Sequence, residues 1–260
     1  MSKLVLITGA SSGIGQALAL AYAQAGWRLA MVARREAEMR EFLDMHGLSE
    51  SGVCLYPADV GNAQAMLELG QRCIANQGLP DVVIANAGIS QGMSTEVFSD
   101  LSLLDQTLRT NVLGVAHTFH PFVAAMRTRG HGQLVAISSV AGIRGMPGHA
   151  AYSASKAACT AYGESVRGDL RGTGVTVTVL LPGYIDTPLT RRNPFPMPFL
   201  MPAPAFAQQA MRVIAQKRAF AVIPWPMAWV AALLKILPAR WLDRALAKQP
   251  RKPRRSDIDA

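Results

Sequence analysis

The stretch LVLITGASSGIG (residues 4–15) decides the fold of this chain. Its first half is a run of apolar and β-branched residues that is typical of a buried strand, and its second half is rich in glycine. Glycines allow a sharp strand-to-helix turn and a close approach to a phosphate, which free N–H groups at a helix N-terminus stabilise. The glycines have the spacing G-x-x-x-G-x-G. The stretch therefore predicts a strand, a phosphate-binding turn and a helix; a purely structural turn is the alternative.

Six further apolar runs follow along the chain, separated by segments of helical composition such as residues 16–24 and 35–45. Parallel strands need crossovers of this kind, and strands covered on both faces become continuously apolar. We predict an α/β fold with a doubly wound, Rossmann-like, mostly seven-stranded parallel sheet, helices on both faces and a C-terminal helical extension. The predicted strands are 4–8, 28–33, 53–57, 81–85, 133–138, 175–181 and 220–224.

Composition limits the class of protein. Half of the 260 residues are hydrophobic and 17% are charged, which suits a large buried core and excludes a disordered protein. Cys54, Cys73 and Cys159 are scattered, so neither a disulfide framework nor a structural zinc site is predicted, and we expect a cytoplasmic protein. The first apolar run is too short for a signal peptide, and no run is long enough for a membrane-spanning helix.

The net charge of +9 is concentrated near the C-terminus. Residues 235–260 hold eight basic and three acidic side chains, so five of the nine net positive charges fall there. A nucleic-acid-binding domain needs a basic face on its folded body. We therefore predict no nucleic-acid partner.

We predict one domain over residues 1–224, followed by two shorter segments. Residues 225–248 combine tryptophan and leucine with basic residues and are broken at Pro238, which predicts a pair of amphipathic helices. Residues 249–260 are predicted to be a basic, disordered tail. Such a C-terminus suits peripheral contact with the inner face of a membrane through residues 225–255. The alternative is that its apolar face packs over the substrate cleft or against a second subunit.

Several motifs, in order along the chain, resemble those of the short-chain dehydrogenase/reductase family over residues 3 to about 224. Ala85 departs from the family pattern, which has asparagine there. The similar motifs are TGASSGIG (8–15), Asp59-Val60, Ala85-Asn86-Ala87-Gly88, Asn111, Ser139, Tyr152-Ser-Ala-Ser-Lys156 and Pro182-Gly183-Tyr184-Ile185-Asp186-Thr187. The resemblance implies a nicotinamide cofactor that contacts Gly9, Ser11, Ser12, Gly13, Ile14, Gly15, Asp59, Val60, Asn86, Ala87, Gly88, Tyr152, Lys156, Pro182, Gly183, Ile185 and Thr187.

Tyr152 and Lys156 lie four residues apart at the predicted start of a helix, so their side chains share one face. A neighbouring ammonium stabilises a phenolate and makes tyrosine usable in acid–base chemistry. The resemblance implies that Tyr152 protonates a carbonyl oxygen, or deprotonates an alcohol in the reverse direction. It also implies that Ser139, rather than Ser138, stabilises charge on that oxygen, and that Asn111 distorts its helix and holds a water in a relay to Lys156. The alternatives are a structural tyrosine and a solvated asparagine.

The segment Ala33-Arg34-Arg35 favours NADP(H) over NAD(H). An NAD enzyme has a carboxylate near this strand end for the ribose 2′-hydroxyl, whereas arginine suits a 2′-phosphate. Glu36 follows at once, and Ser12 stands where many NADP-using relatives carry a second basic residue. The alternative is an arginine pair that is merely solvated.

The remaining residues concern metal and substrate. His117 and His120 have no third ligand in the pattern, so no metal site is predicted. Residues 184–204 are rich in methionine, phenylalanine and proline, which predicts an apolar lid and a lipophilic ketone, aldehyde or secondary alcohol as substrate.

Three arginines are consistent with a second class of substrate, one that carries an anionic group. Arg144, Arg191 and Arg192 would suit an anionic group, as in a 3-oxoacyl-thioester reductase of lipid metabolism. A non-catalytic, nucleotide-sensing scaffold is a third reading, and the intact set of four catalytic residues argues against it.

The resemblance also implies a homodimer or homotetramer formed through the helices around residues 111–126 and 152–170. Both segments carry small and apolar residues beyond one core-facing stripe, namely Val115, Phe119, Val123, Ala157, Ala158, Ala161 and Tyr162.

Overall fold

The apolar runs form one parallel sheet of seven strands. The computed structural model describes residues 2–48, 52–247 and 250–254. The strands of this sheet are β1 (Leu4–Thr8), β2 (Arg28–Ala33), β3 (Val53–Pro57), β4 (Val82–Ala85), β5 (Gly132–Ile137), β6 (Val175–Pro182) and β9 (Phe220–Ile223). Their order is β3-β2-β1-β4-β5-β6-β9. The order reverses between β1 and β4, where ligands bind in folds of this kind.

Helices cover both faces of the sheet, as predicted. The helices are α1 (Gly13–Gln24), α2 (Glu36–Met45), α3 (Ala63–Gln77), α4 (Leu101–Leu108), α5 (Gly114–Arg129), α6 (Ala150–Asp169), α7 (Ala203–Ala215), α8 (Pro226–Ile236) and α9 (Ala239–Leu246). One core contains residues of α1, α2 and α7, and the other contains residues of α3, α5, α6 and α8. Strand β1 supplies Leu4 and Leu6 to one core and Val5 and Ile7 to the other. Burial on both faces explains why its sequence shows no polar alternation.

Residues 184–204 leave the sheet after β6. Two short strands, β7 (Ile185–Asp186) and β8 (Met201–Pro202), pair in parallel at the base of this excursion. Arg191 donates to Asp186 at 2.8 Å. The ring of Phe195 contacts the rings of His149 and Tyr184, with centroids 5.6 and 6.3 Å apart. The excursion therefore reaches the loop that precedes α6.

The C-terminal extension forms two helices separated at Pro238, as predicted. Met227 and Ala231 of α8 are buried in the core. Residues 250–254, which composition assigned to a disordered tail, lie instead against the main cleft of the domain, whereas residues 248, 249 and 255–260 fall outside the described residues. Within the described ranges, no helix has both the length and the apolar character needed to cross a membrane.

The helices expected at a subunit interface differ in part from the prediction. Val115 and Phe119 are buried in the core of the chain itself. Their assignment to an outer face was wrong, because α5 packs against α3 as well as against the sheet. Ala157 and Ala161 of α6 are exposed.

Candidate active site

The glycine-rich turn joins β1 to α1 and leaves the start of α1 open. Gly9 and Gly13 have φ values of +69° and +56°, in the left-handed region that glycine adopts without strain. Ser12 is the N-cap of α1, and its side chain makes no capping hydrogen bond. The first N–H groups of a helix have no intrahelical partners and attract an anion. This turn therefore has the backbone and the free donors that a phosphate requires.

Asn86, directly after β4, holds the turn in place. Its side-chain amide donates to the Thr8 carbonyl oxygen at 2.9 Å, and its backbone N–H donates to Thr8 Oγ1 at 3.0 Å. A Cβ atom at Gly15 would lie 2.1 Å from the Gly9 carbonyl oxygen, so no side chain fits there. Thr8 thus binds the end of β1 to the residue that follows β4, a contact that sequence reasoning missed.

The end of β2 carries the two arginines expected to select the cofactor. Arg35 donates to Ser11 Oγ at 3.1 Å and pairs with Glu38 at 2.9 Å. Arg34 lies 3.7 Å from the Asp59 carboxylate, and both arginine side chains are more than half exposed. Glu36 is instead bound to Arg40 one turn further along α2.

Lys156 projects from α6 into the site next to Tyr152. Its Nζ is 5.8 Å from the Tyr152 ring centroid and donates to the Ile137 carbonyl oxygen at 2.8 Å. Lys156 is buried, and Tyr152 is half-buried. Ser139 Oγ accepts from Ala141 N at 3.1 Å, so its own O–H is left to donate.

Ser138, the rival of Ser139, also lines the cleft, but its hydroxyl is engaged within the fold. Its hydroxyl donates to the Lys156 carbonyl oxygen at 2.8 Å and lies 2.7 Å from Thr160 Oγ1. It therefore binds α6 to β5.

Asn111 is fully buried in a π-helical segment (Arg109–Leu113) between α4 and α5. Its Oδ1 accepts from Ile89 N at 2.8 Å, and its Nδ2 donates to the Ile89 carbonyl oxygen and Ser155 Oγ, both at 2.9 Å. A Cβ atom at Gly88 would lie 3.3 Å from Asn111 Oδ1 and 3.5 Å from Lys156 Nζ. Asn111 thus joins the loop after β4 to the helix that carries Lys156. The role of Ser155 was not predicted, because the motif specifies only Tyr152 and Lys156 and leaves the three residues between them open.

These residues surround one cleft of about 750 Å³ at the carboxyl edge of the sheet. That volume lies within the range of cofactor and small-molecule sites. Gly15 and Asn111 lie behind its wall. The other predicted residues line it: Gly9, Ser11, Ser12, Gly13, Ile14, Arg34, Arg35, Asp59, Val60, Asn86, Ala87, Gly88, Ser139, Tyr152, Lys156, Pro182, Gly183, Ile185 and Thr187.

The cleft fits a phosphate-bearing dinucleotide. Free helix donors lie at the glycine-rich turn, Arg34 and Asp59 lie at one end, and Tyr152 and Lys156 lie at the other. Among the described residues, no cluster of three metal-ligating side chains is present, and His117 instead contacts the Val60 carbonyl oxygen at 2.8 Å.

Lys252 and Pro253 of the C-terminal segment also line the cleft, which sequence reasoning missed. Burial and the nearby Lys252 ammonium lower the pKa of His149 to about 4. His149 is the N-cap residue of α6, three residues before Tyr152. Lys252 is therefore close to the start of α6.

Comparisons with known proteins agree with this geometry. The family model described as short chain dehydrogenase matches residues 3–195. An uncharacterised oxidoreductase of Myxococcus xanthus is 39% identical over 245 residues, covering 94% of this chain and 96% of the relative. An acetoacetyl-CoA reductase of Rhizobium meliloti is 33% identical over 199 residues, covering 75% and 78%.

The fold is also similar to that of solved structures of this family. A crystal structure of a short-chain dehydrogenase/reductase from Burkholderia phymatum in complex with NAD has a TM-score of 0.80 at 24% identity, covering 97% of each chain. On the family match and the identities above, the chain belongs to the short-chain dehydrogenase/reductase family of Rossmann-fold oxidoreductases.

Proposed function

We propose that this chain is an NADP(H)-dependent oxidoreductase that interconverts a carbonyl and an alcohol, with Tyr152 as general acid and base. The substrate is a lipophilic ketone, aldehyde or secondary alcohol. The observation that carries the proposal is the position of Tyr152 in the cleft, with the Lys156 ammonium 5.8 Å from its ring and Ser139 lining the same cleft.

Each of the four residues has a task in carbonyl reduction. The cofactor, when bound, supplies a hydride to the carbonyl carbon. Tyr152 donates its phenolic proton to the carbonyl oxygen, and the Ser139 hydroxyl donates a hydrogen bond to the same oxygen. The buried Lys156 ammonium favours the phenolate left on Tyr152. Asn111 positions the Ile89 backbone and Ser155 through the hydrogen bonds described above. Oxidation of an alcohol uses the same groups in reverse.

The preference for NADP(H) rests on Arg34 and Arg35. Both guanidinium groups are exposed at the mouth of the cleft. Glu36, the nearest carboxylate in the sequence after β2, is bound to Arg40. Arg34 also faces Asp59 and Arg35 also pairs with Glu38, but both guanidinium groups remain more than half exposed, which suits a ribose 2′-phosphate.

A 3-oxoacyl-thioester reductase is the second candidate. The acetoacetyl-CoA reductase named above supports it, as does Arg192, which lines the cleft. Acetoacetyl-CoA therefore belongs in any substrate set.

The test is an initial-rate screen of ketones, aldehydes, alcohols and acetoacetyl-CoA, following absorbance of the reduced cofactor. We expect turnover with NADPH or NADP⁺. Cofactor binding without turnover of any compound would favour a nucleotide-sensing scaffold.

We also propose a homodimer or homotetramer formed through α5 and α6. The exposed Ala157 and Ala161 on α6 and the half-exposed Leu113, directly before α5, support this interface.

Finally, we propose that α8 and α9 contact an anionic membrane surface. Five large apolar side chains of this region are between 56% and 78% exposed, namely Trp225, Trp229, Leu233, Ile236 and Trp241. The exposed basic residues Lys235, Arg240 and Arg244 lie among them. Exposed apolar side chains interleaved with basic ones are typical of helices that lie in a membrane interface.

A further inference from the structure

Residues 251–254 form a strap across the substrate end of the cleft. The Pro253 carbonyl oxygen accepts from Gly92 N at 3.2 Å. Arg254 makes two hydrogen bonds to the buried Asp100 carboxylate, at 2.8 and 3.0 Å. A Cβ atom at Gly92 would lie 2.1 Å from the Lys252 carbonyl oxygen, so the strap packs closely on the loop after β4. The strap is thus held by backbone and side-chain contacts.

The strap places Lys252 inside the cleft. Lys252 is 7% exposed, and its Nζ donates to Ser90 Oγ at 3.0 Å and to the Leu189 carbonyl oxygen at 3.5 Å. Ser90 follows β4 and Leu189 follows β7, so the ammonium bridges two walls of the cleft. Among the described residues, no carboxylate pairs with this ammonium. Burial and the Arg192 guanidinium lower the pKa of Lys252 to about 8.

A buried cation with only neutral partners is costly unless an anion compensates it. Lys252 Nζ carries three N–H donors and has two partners, both neutral. Arg192 adds a second cation to the same wall. The substrate end of the cleft therefore attracts a negatively charged group.

The position of Lys252 points to the substrate rather than to the cofactor. Lys252 lowers the pKa of His149, and Arg251 packs against Gly148, so the strap lies beside the start of α6, which carries Tyr152. The groups suited to the cofactor phosphates lie at the glycine-rich turn and at Arg34 and Arg35.

We infer that Lys252 binds an anionic group, a carboxylate or a phosphate, on the carbonyl substrate reduced at Tyr152. The inference rests on the proposed function and narrows its substrate class to lipophilic carbonyl compounds with an anionic end. Of the arginines first considered, Arg191 is paired with Asp186 and Arg144 donates to the Leu237 carbonyl oxygen, which leaves Arg192 as the second cation facing the cleft.

The test compares an anionic with a neutral substrate of the same shape. The probes are 4-carboxybenzaldehyde and methyl 4-formylbenzoate, reduced with NADPH by the wild type, Lys252→Met, Lys252→Arg and Lys235→Met. We expect Lys252→Met to raise KM for the carboxylate about tenfold to a hundredfold, the usual effect of losing a charge-assisted hydrogen bond, and to leave the ester within about twofold. Lys252→Arg should retain most of the preference. Lys235→Met removes an exposed lysine of α8 and should change neither probe.

A second pair of substrates distinguishes the two anions. If the group is a phosphate, Lys252→Met should impair acetoacetyl-CoA and spare ethyl acetoacetate. Equal losses for anionic and neutral substrates would overturn the inference, as would no loss for any anion. Faster turnover of all substrates by Lys252→Met would show that the strap obstructs the cleft instead.

A binding measurement separates this inference from the proposed function. Calorimetric titrations of 4-ethylbenzoate and of 4-ethylphenyl phosphate, neither of which can be reduced, into the wild type and Lys252→Met need no turnover. Weaker binding of either anion to the variant would support the inference even if every carbonyl compound failed as a substrate. Equal affinities of both anions for the two proteins, or no binding of either anion to the wild type, would overturn it even if ketones were reduced. Thermal unfolding of each variant checks that the fold is intact.

Discussion

At the scale of single residues, Lys156 and its neighbour Ser155 link α6 to the end of β5 and to Asn111. Lys156 Nζ donates to the Ile137 carbonyl oxygen, the backbone carbonyl oxygen of Lys156 accepts from Ser138, and Ser155 accepts from Asn111. The spacing of Tyr152 and Lys156 was readable because four residues make one helical turn. The hydrogen-bond partners of Asn111 could not be predicted from the sequence, because Ile89 and Ser155 are distant from it along the chain.

Replacing Tyr152 with phenylalanine removes only the transferable proton. We expect Tyr152→Phe to lower kcat by about 10²- to 10⁴-fold, the usual contribution of general acid catalysis, while the Kd of NADPH stays nearly unchanged. Lys156→Ala should impair both quantities. Steady-state rates and fluorescence titration of NADPH provide the two measurements. A Tyr152→Phe variant that turns over at the wild-type rate would refute the role of Tyr152.

Cofactor preference is a property of two side chains. We expect NADPH to bind more tightly than NADH, and both Arg34→Ala and Arg35→Ala to reduce that preference by about tenfold or more, because each removes a charge-assisted contact to the 2′-phosphate. Arg72→Ala is the control, since Arg72 is an exposed arginine of α3 that does not line the cleft. Titration of both cofactors into all four proteins is the measurement. A wild type that prefers NADH would contradict the assignment.

At the scale of elements, the seven strands of the main sheet were predicted to within one residue at every end. Each carries an apolar run because it is buried between two layers of helices, so pattern and burial coincide. The π-helical segment at Arg109–Leu113 was not predicted as such, because its geometry accompanies the buried contacts of Asn111. The helix boundaries near α1 and α2 were read from composition to within a few residues.

Gly142 sets the distance between the Ser139 turn and α6. A Cβ atom there would lie 2.6 Å from the Lys156 carbonyl carbon and 2.8 Å from Ala157 N, both backbone atoms. We expect Gly142→Ala to destabilise the fold by about 1–3 kcal/mol, as overpacking does, and to lower kcat by displacing Ser139 from Tyr152. At Gly145 an added Cβ meets no atom within 4 Å, so Gly145→Ala is the matched control. The midpoint of thermal unfolding and kcat are measured for both variants. Equal values for Gly142→Ala and Gly145→Ala would contradict the role of Gly142.

At the scale of the whole molecule, the path of the C-terminus was beyond sequence reasoning. Arg254 binds Asp100, 154 residues away, and Lys252 binds Ser90, 162 residues away. Such pairings leave no periodic pattern, and a run of proline and basic residues is typical of a disordered tail. The position of the strap depends on the loop after β4 and the loop after β7, which only the three-dimensional fold brings to the same cleft.

Assembly is the next property of the whole molecule. We expect a dimer or tetramer at micromolar concentration, and we expect Ala157→Glu with Ala161→Glu to shift it towards the monomer, because buried like charges oppose association. Analytical ultracentrifugation measures both proteins, and Ala124→Glu, an exposed site on α5, is a further test of the second helix. A wild type that sediments only as a monomer would exclude the interface.

The outer surface of α8 and α9 decides whether the molecule binds a membrane. Trp229 and Ile236 are 74% and 78% exposed, two turns apart on α8. Burying such side chains in a membrane interface is favourable, and each nearby basic residue adds about 1 kcal/mol on an anionic leaflet.

We therefore expect the full-length protein to float with phosphatidylglycerol-containing vesicles at low salt and to be released at high salt, because electrostatic attraction is screened. Trp229→Ala with Ile236→Ala should abolish flotation without unfolding the protein, since both side chains are exposed. Phe98→Ala removes an apolar side chain that is 88% exposed elsewhere, and it should float like the wild type. If the wild type stays unbound at low salt, these helices do not bind membranes. A change of oligomeric state in the double variant would then identify the surface as a contact between copies of the chain.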